Sequence, residues 1–146
     1  MRPALRLLLV LCGATFVLAA CESAPVTGRS QIMLVSENEE RQMGLQAYQQ
    51  VLAKDPLSHD ARANALVEKV GRRIAAAAER PPAEMWKAPR FRWEFKTIDK
   101  NEPNAFCLPG GKVAVYTGLL PITRTEAGLA VVIGHEVAHA LARHGA

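Results

Sequence analysis

Cysteine is scarce in this 146-residue chain, which carries only Cys12, Cys21 and Cys107. Cys12 falls inside an apolar leader and Cys21 at its end, so Cys107 is left without a partner and a disulfide framework is excluded. Long basic runs are also missing. The formal charge of +4 and the pI near 9.2 owe part of their size to Arg2 and Arg6 in that leader. Nucleic acid is therefore not an expected partner. Beyond the leader no apolar run is long enough to span a membrane. The best internal stretch, Ala127 to Ala142, is too short and is interrupted by charged and polar residues.

The leader itself is informative. Arg2 and Arg6 precede the apolar stretch Leu7 to Leu18, which ends in Leu18-Ala19-Ala20-Cys21. A positive start, a short apolar core and small residues at the cut make residues 1–20 a secretory signal peptide rather than an uncleaved anchor. Leu-Ala-Ala-Cys resembles the bacterial lipobox, which implies diacylglycerol on Cys21 and attachment to a membrane surface. Glu22 follows, not the aspartate that resembles an inner-membrane retention signal, so the expected place is the outer membrane, facing the periplasm. Residues 21–35 then read as a lipidated N-terminus and tether, whose polar part from Glu22 to Ser30 could lift the domain up to ~30 Å from its lipid. Residues 36–146 read as a portion of a single domain, within a mature length of about 125 residues that suffices for one core.

Ser36, with Glu39 three residues on, forms a capping box. It opens a helix to about Lys54, with Met43, Ala47, Tyr48, Val51 and Leu52 as its buried stripe. Asp55-Pro56 ends it. A second amphipathic helix is expected from about Ser58 to Glu79, with Leu66, Val67, Val70, Ile74 and Ala78 inward. Core packing is the default reading of both stripes. Pro81-Pro82 and Pro89 mark an irregular connector. Phe91, Trp93 and Phe95 then alternate with Arg92, Glu94 and Lys96 up to Ile98, as in a half-buried strand.

Near the C-terminus, His135-Glu136-Val137-Ala138-His139 reads H-E-x-x-H. A four-residue step advances about 400° on an α-helix, so the two imidazoles share one face about one turn apart. That spacing lets both bind one Zn²⁺ at roughly 2.0–2.1 Å. Glu136, about 100° further round, suits a general base acting on water beside the metal. The competing reading is a chance match on a solvated helix. Against it stands the surrounding sequence, apolar on nearly every face, which predicts a buried helix. Two imidazoles and a carboxylate buried without partners would cost about several kcal/mol, which a metal ion would offset. The residues point to a zinc metallopeptidase active-site helix, opened by a second capping box at Thr123 and Glu126.

Between strand and helix, Pro109-Gly110 suits a type II turn, where proline fixes the first central φ and glycine accepts a positive second one. Short strands on either side would make a hairpin. A hairpin with no role beyond the fold explains this as well as a functional one does. In the functional reading, Gly110, Gly111, Lys112, Val113, Ala114 and Val115 form a substrate-binding edge just before the metal-binding helix. Such an edge would hold unfolded segments by main-chain hydrogen bonds. Cys107, between the apolar Phe106 and Leu108, reads as a free structural thiol, with a replacement zinc ligand as the competing idea.

The run from Asn104-Ala105-Phe106 through Leu108-Pro109-Gly110-Gly111 to Tyr116-Thr117-Gly118-Leu119-Leu120 is followed by Gly134-His135-Glu136, His139 and Arg143-His144. This combination closely resembles the M48 metallopeptidases, which include HtpX-like and Oma-like proteins and the CAAX prenyl proteases. Val26-Thr27-Gly28-Arg29, Leu34-Val35-Ser36-Glu37 and Met43-Gly44 resemble the periplasmic lipoprotein branch. The resemblance covers almost the whole mature chain. It implies an α+β, zincin (gluzincin-like) core, one Zn²⁺ ion, and endoproteolysis of misfolded or membrane-associated envelope proteins. By position, His135 and His139 match the family's zinc ligands and Glu136 its catalytic glutamate.

The family's third ligand is a glutamate on a later helix, and nothing before Ala146 corresponds to it, although catalytic zinc takes three protein ligands and a water. The expectation is a chain that stops after its active-site helix. Glu102, Glu126, Asp99, His59 and Cys107 are conceivable substitutes, none in a matching position. Glu126 and His144 each lie nine residues from His135 and so face away from it on a continuous helix. His144 is expected at the helix C-terminus. One alternative is a non-catalytic envelope lipoprotein with a chaperone or binding role on the same fold. Another is an unrelated structural lipoprotein whose H-E-x-x-H is accidental.

Overall fold

A computed structural model describes residues 21–23, 30–32, 35–80 and 90–144. The expected signal peptide and the proline-rich connector lie outside the described residues. Two three-residue strands come first, β1 (Cys21–Ser23) and β2 (Ser30–Ile32). They pair antiparallel with Cys21 opposite Ile32, so these two pieces of the expected tether lie side by side.

Helix α1 (Glu37–Lys54) starts where the capping box puts it. The Glu39 N–H donates to Ser36 Oγ at 3.3 Å, and the Ser36 N–H donates to Glu39 Oε2 at 3.0 Å. Its inward face differs from the expected stripe. Tyr48 is buried, but Met43 is 60% exposed and the buried line runs Glu40, Gly44, Tyr48. The cause is a close approach: a Cβ on Gly44 would lie 2.6 Å from the Pro109 carbonyl oxygen. Only glycine lets α1 seat on the turn after β4, and that contact sets the rotation of the whole helix.

Helix α2 (Ala61–Ala78) begins three residues later than expected, because Asp60 is its cap. Asp60 Oδ1 accepts from the N–H groups of Arg62 and Ala63 at 2.8 and 3.1 Å. Ser58 is spent on the sheet instead, its N–H donating to Thr97 O. The inward residues are as expected, with Val67 and Val70 buried and Leu66, Ile74 and Ala78 packed against the core.

The main sheet has the order β3-β5-β4, from β3 (Glu94–Ile98), β4 (Ala105–Leu108) and β5 (Lys112–Tyr116). β5 runs parallel to β3 and antiparallel to β4. The hairpin turns as expected. Gly110 has φ +90°, and the Gly111 N–H donates to Leu108 O at 3.1 Å. Because β5 is central, both of its faces are covered. Val113 and Val115 meet Val67, Val70, Leu129, Ile133 and Val137 on one side. Ala114 and Tyr116 meet Tyr48 and Phe106 on the other. The result is a mixed α+β layering, with α1 on one face of the sheet and two helices on the other.

After a 3₁₀ turn (Thr117–Leu119) and the short α3 (Leu120–Thr123), α4 (Glu126–Leu141) carries the H-E-x-x-H sequence. Its N-cap is Thr125, whose Oγ accepts from the Gly128 N–H at 3.0 Å. Thr123 was the expected cap, but it closes α3. Nor is α4 buried all round. Leu129, Ile133 and Val137 face the core, while Val131 is 73% exposed. Among the described residues α4 packs against α2, α3 and β4, and no helix is long and apolar enough to cross a membrane.

Candidate metal centre

The helical spacing does what the sequence predicts. His135 and His139 stand one turn apart on α4, their rings at 89° with centroids 4.4 Å apart, and their Nε2 atoms converge to 3.0 Å. Two imidazoles on one tetrahedral zinc hold their nitrogens ~3.3 Å apart for Zn–N bonds of about 2.0–2.1 Å. The pair therefore fits a common ion after opening by a few tenths of an ångström. Both histidines are exposed and Glu136 is half-buried. Open to water, these groups carry no large desolvation cost for a metal to offset; their Nε2 atoms share one hydrogen bond, which leaves both on the same side for an ion.

His144 was expected to face away from the pair, and it does not. The helix ends at Leu141, and Arg143 adopts φ +55°. The His144 N–H then donates to His139 O at 3.1 Å and the Arg143 N–H to Ala140 O at 3.2 Å. This pair of bonds is a Schellman closure. It folds the chain back so that His144 Nδ1 lies 2.7 Å from His139 Nδ1. With Nδ1 engaged, the His139 ring is oriented with Nε2 toward His135, as partners of metal-binding histidines commonly arrange.

The Arg143 side chain explains why a non-glycine residue accepts that conformation. Its Nε donates to Glu40 Oε2 at 2.7 Å and its Nη2 to Val35 O at 3.0 Å. The two side chains are 4% and 9% exposed. α1 thus clasps the end of the histidine-bearing helix. Neither partner was singled out for this from sequence, since they are 103 residues apart.

No group of three or more His, Cys, Asp or Glu suited to a metal ion occurs among the described residues. Of the conceivable substitutes, Glu126 and Glu102 are engaged elsewhere and Cys107 is partly buried. Lys69 reaches Glu126 at 2.6 Å and holds its carboxyl below the usual range, with Arg73 adding at 3.6 Å. Glu102 pairs with Lys100 at 3.3 Å. Burial, reinforced by the negative charge of Glu136, pushes the Cys107 thiol up to about 12. Its Sγ donates weakly to Leu108 O at 3.8 Å, as suits a structural thiol.

One sequence reading is overturned. Gly110, Gly111, Lys112, Val113, Ala114 and Val115 do not form an open edge. Gly110 and Gly111 sit in the turn, and β5 is paired on both sides. The open edge beside α4 is β4. The Tyr116 N–H donates to Asn104 O at 2.9 Å. Alternation along an antiparallel ladder then turns the N–H and C=O groups of Ala105 and Cys107 outward.

An H-E-x-x-H helix with converging histidines, packed beside the free edge of a small mixed sheet, is the arrangement of a metal-dependent peptidase core. The model of peptidase family M48 matches residues 61–146, and the chain belongs to that family. It is 35% identical over 137 residues to the mitochondrial metalloendopeptidase OMA1 of Schizosaccharomyces pombe, covering 92% of this chain and 38% of that protein. Identity to OMA1 of Saccharomyces cerevisiae is 33% over 131 residues, 86% of this chain and 38% of the relative. The beta-barrel assembly-enhancing protease of Escherichia coli is 29% identical over 125 residues, 86% of this chain and 24% of the relative. The chain therefore spans well under half the length of these relatives.

Proposed function

We propose that the chain carries the core of a zinc-dependent metalloendopeptidase of gluzincin type, with His135 and His139 as ligands and Glu136 as general base. The observation that carries this reading is the 3.0 Å convergence of the two Nε2 atoms on a family M48 helix. A zinc ion bound there supplies a Lewis acid for the scissile carbonyl and the attacking water. Glu136 takes a proton from that water on its carboxylate and passes it to the amine nitrogen as the peptide bond breaks. His144 keeps the His139 ring in place. The third protein ligand that catalytic zinc requires is not among the described residues. To test the reading, zinc content and casein cleavage are measured on the protein as its own cell makes it. One zinc per chain and cleavage stopped by 1,10-phenanthroline are expected. A zinc-loaded protein that slows aggregation of an unfolded client without cutting casein is a chaperone instead.

Substrate is proposed to lie along β4 in extended form, added to the outward groups of Ala105 and Cys107. Recognition through main-chain groups suits unfolded or membrane-associated proteins of the bacterial envelope. Ala105→Pro removes one outward donor without touching the ladder to β5. Provided the variant stays folded and zinc-loaded, kcat/KM on unfolded casein should fall by about tenfold or more, the weight of one lost hydrogen bond to an extended chain. An unchanged value removes β4 as the substrate edge.

The lipobox-like Leu18-Ala19-Ala20-Cys21 supports anchoring through Cys21, at the outer membrane facing the periplasm. Labelled palmitate should enter the wild type and not Cys21→Ser. Label retained by the variant ends the lipoprotein reading.

A further inference from the structure

Away from the histidines, a cavity of about 450 Å³ opens over the β4–β5 turn. Among the described residues its charged lining is Arg41, Arg90, Arg92 and Lys112, with Leu45 and the Pro109-Gly110 turn between them and no carboxylate. An adjoining cavity of about 260 Å³ shares Arg41, Arg90 and the turn, and adds Glu37 and the Glu40–Arg143 pair. Several cations elsewhere on this chain face carboxylates, as in Lys69–Glu126, Arg72–Glu68, Lys100–Asp55 and Arg143–Glu40. Here Arg41 has only the Asn38 amide oxygen at 3.5 Å, and Lys112 alone has an acidic partner, Glu94 at 2.8 Å. Arg90 and Arg92 face no carboxylate among the described residues.

The fold imposes this crowding, because the cations come from separate segments fixed by backbone. Arg92 is held where its N–H donates to Gly110 O at 3.0 Å. Arg41 projects from α1, and its Cγ would lie 3.6 Å from a Cβ on Gly110. Lys112 opens β5. Like charges brought together in a recess repel, and an anion with several acceptor oxygens reverses the sign of that energy. Three guanidinium forks favour phosphate, which accepts two hydrogen bonds from one arginine. Leu45, 43% exposed and one turn from Arg41, adds an apolar rim.

We infer that this cavity binds a phosphate-bearing headgroup. The phosphate can come from an anionic phospholipid or from a soluble phosphate, and the two are separable by titration. The full chain in neutral detergent micelles is titrated calorimetrically with dihexanoyl phosphatidylglycerol, dihexanoyl phosphatidylcholine and inorganic phosphate. Phosphatidylglycerol should bind, the zwitterionic lipid at least about tenfold more weakly, and Arg90→Ser/Arg92→Ser should weaken phosphatidylglycerol by about tenfold or more, as expected for lost charge-assisted forks. Lys54→Ser/Arg62→Ser removes the same charge from exposed sites outside the cavity and should change binding less than about twofold, since exposed distant charges are screened. Inorganic phosphate binding as tightly as the lipid assigns a soluble ligand; clearly weaker binding assigns the lipid. Absence of binding by either anion, or an equal loss in both double variants, overturns the site.

Discussion

Glu136→Gln should leave zinc content unchanged and lower kcat on casein by roughly 10²–10⁴-fold, the range over which general bases contribute. Two observations place this carboxylate apart from the imidazole pair. It follows His135 by one position, so it projects about 100° around α4. Its charge also reaches Cys107, adding to the burial that keeps that thiol protonated. Cys107 is on β4, whose outward groups are the proposed substrate edge. Glu136 is thus near enough to β4 for its charge to act on Cys107, and the proposal sets the attacking water beside it. Glutamine keeps the size and can still orient water, but it cannot accept the proton. Retained activity would remove the general-base role. Loss of zinc together with activity would make Glu136 part of the metal shell.

Much of this arrangement is legible in local sequence because local physics decides it. The Ser36–Glu39 box, the Pro109-Gly110 turn, the Leu66-to-Ala78 stripe and the i, i+4 histidines depend only on neighbours within a turn or two. Reading failed where a distant contact intervened. Gly44 yields the inward line of α1 to Pro109, so Met43 faces out although its hydrophobicity argues otherwise. β5 lies between β3 and β4, an order that no strand pattern encodes, and it moves the open edge from Lys112–Val115 to Ala105–Cys107. His144 was placed by extending an ideal helix past its end. The left-handed turn at Arg143 that brings it onto His139 depends on Glu40, far away in sequence.

That clasp should carry a large share of the stability. Arg143→Met leaves Glu40 charged and almost dry, and removing one partner from a buried pair costs about 3–5 kcal/mol. The same change releases the Val35 carbonyl and loosens the turn that presents His144 to His139. Zinc affinity should therefore fall together with the urea midpoint, with α4 still helical by circular dichroism. Glu40→Leu should cost less than Arg143→Met but still more than about 1 kcal/mol, for the guanidinium loses its carboxylate while its bond to Val35 O remains. The double variant Glu40→Leu/Arg143→Met should recover much of the loss in stability, since a hydrophobic pair of similar volume often replaces a buried ion pair at little cost. It should not recover the zinc affinity, because nothing then holds residue 143 in the left-handed conformation, which costs a non-glycine residue roughly 1–2 kcal/mol. Urea unfolding and zinc titration of the two single variants and the double variant separate these outcomes. Single variants that each lose less than about 1 kcal/mol, well below the usual cost of breaking a buried pair, would show that α1 does not clasp the end of the histidine helix.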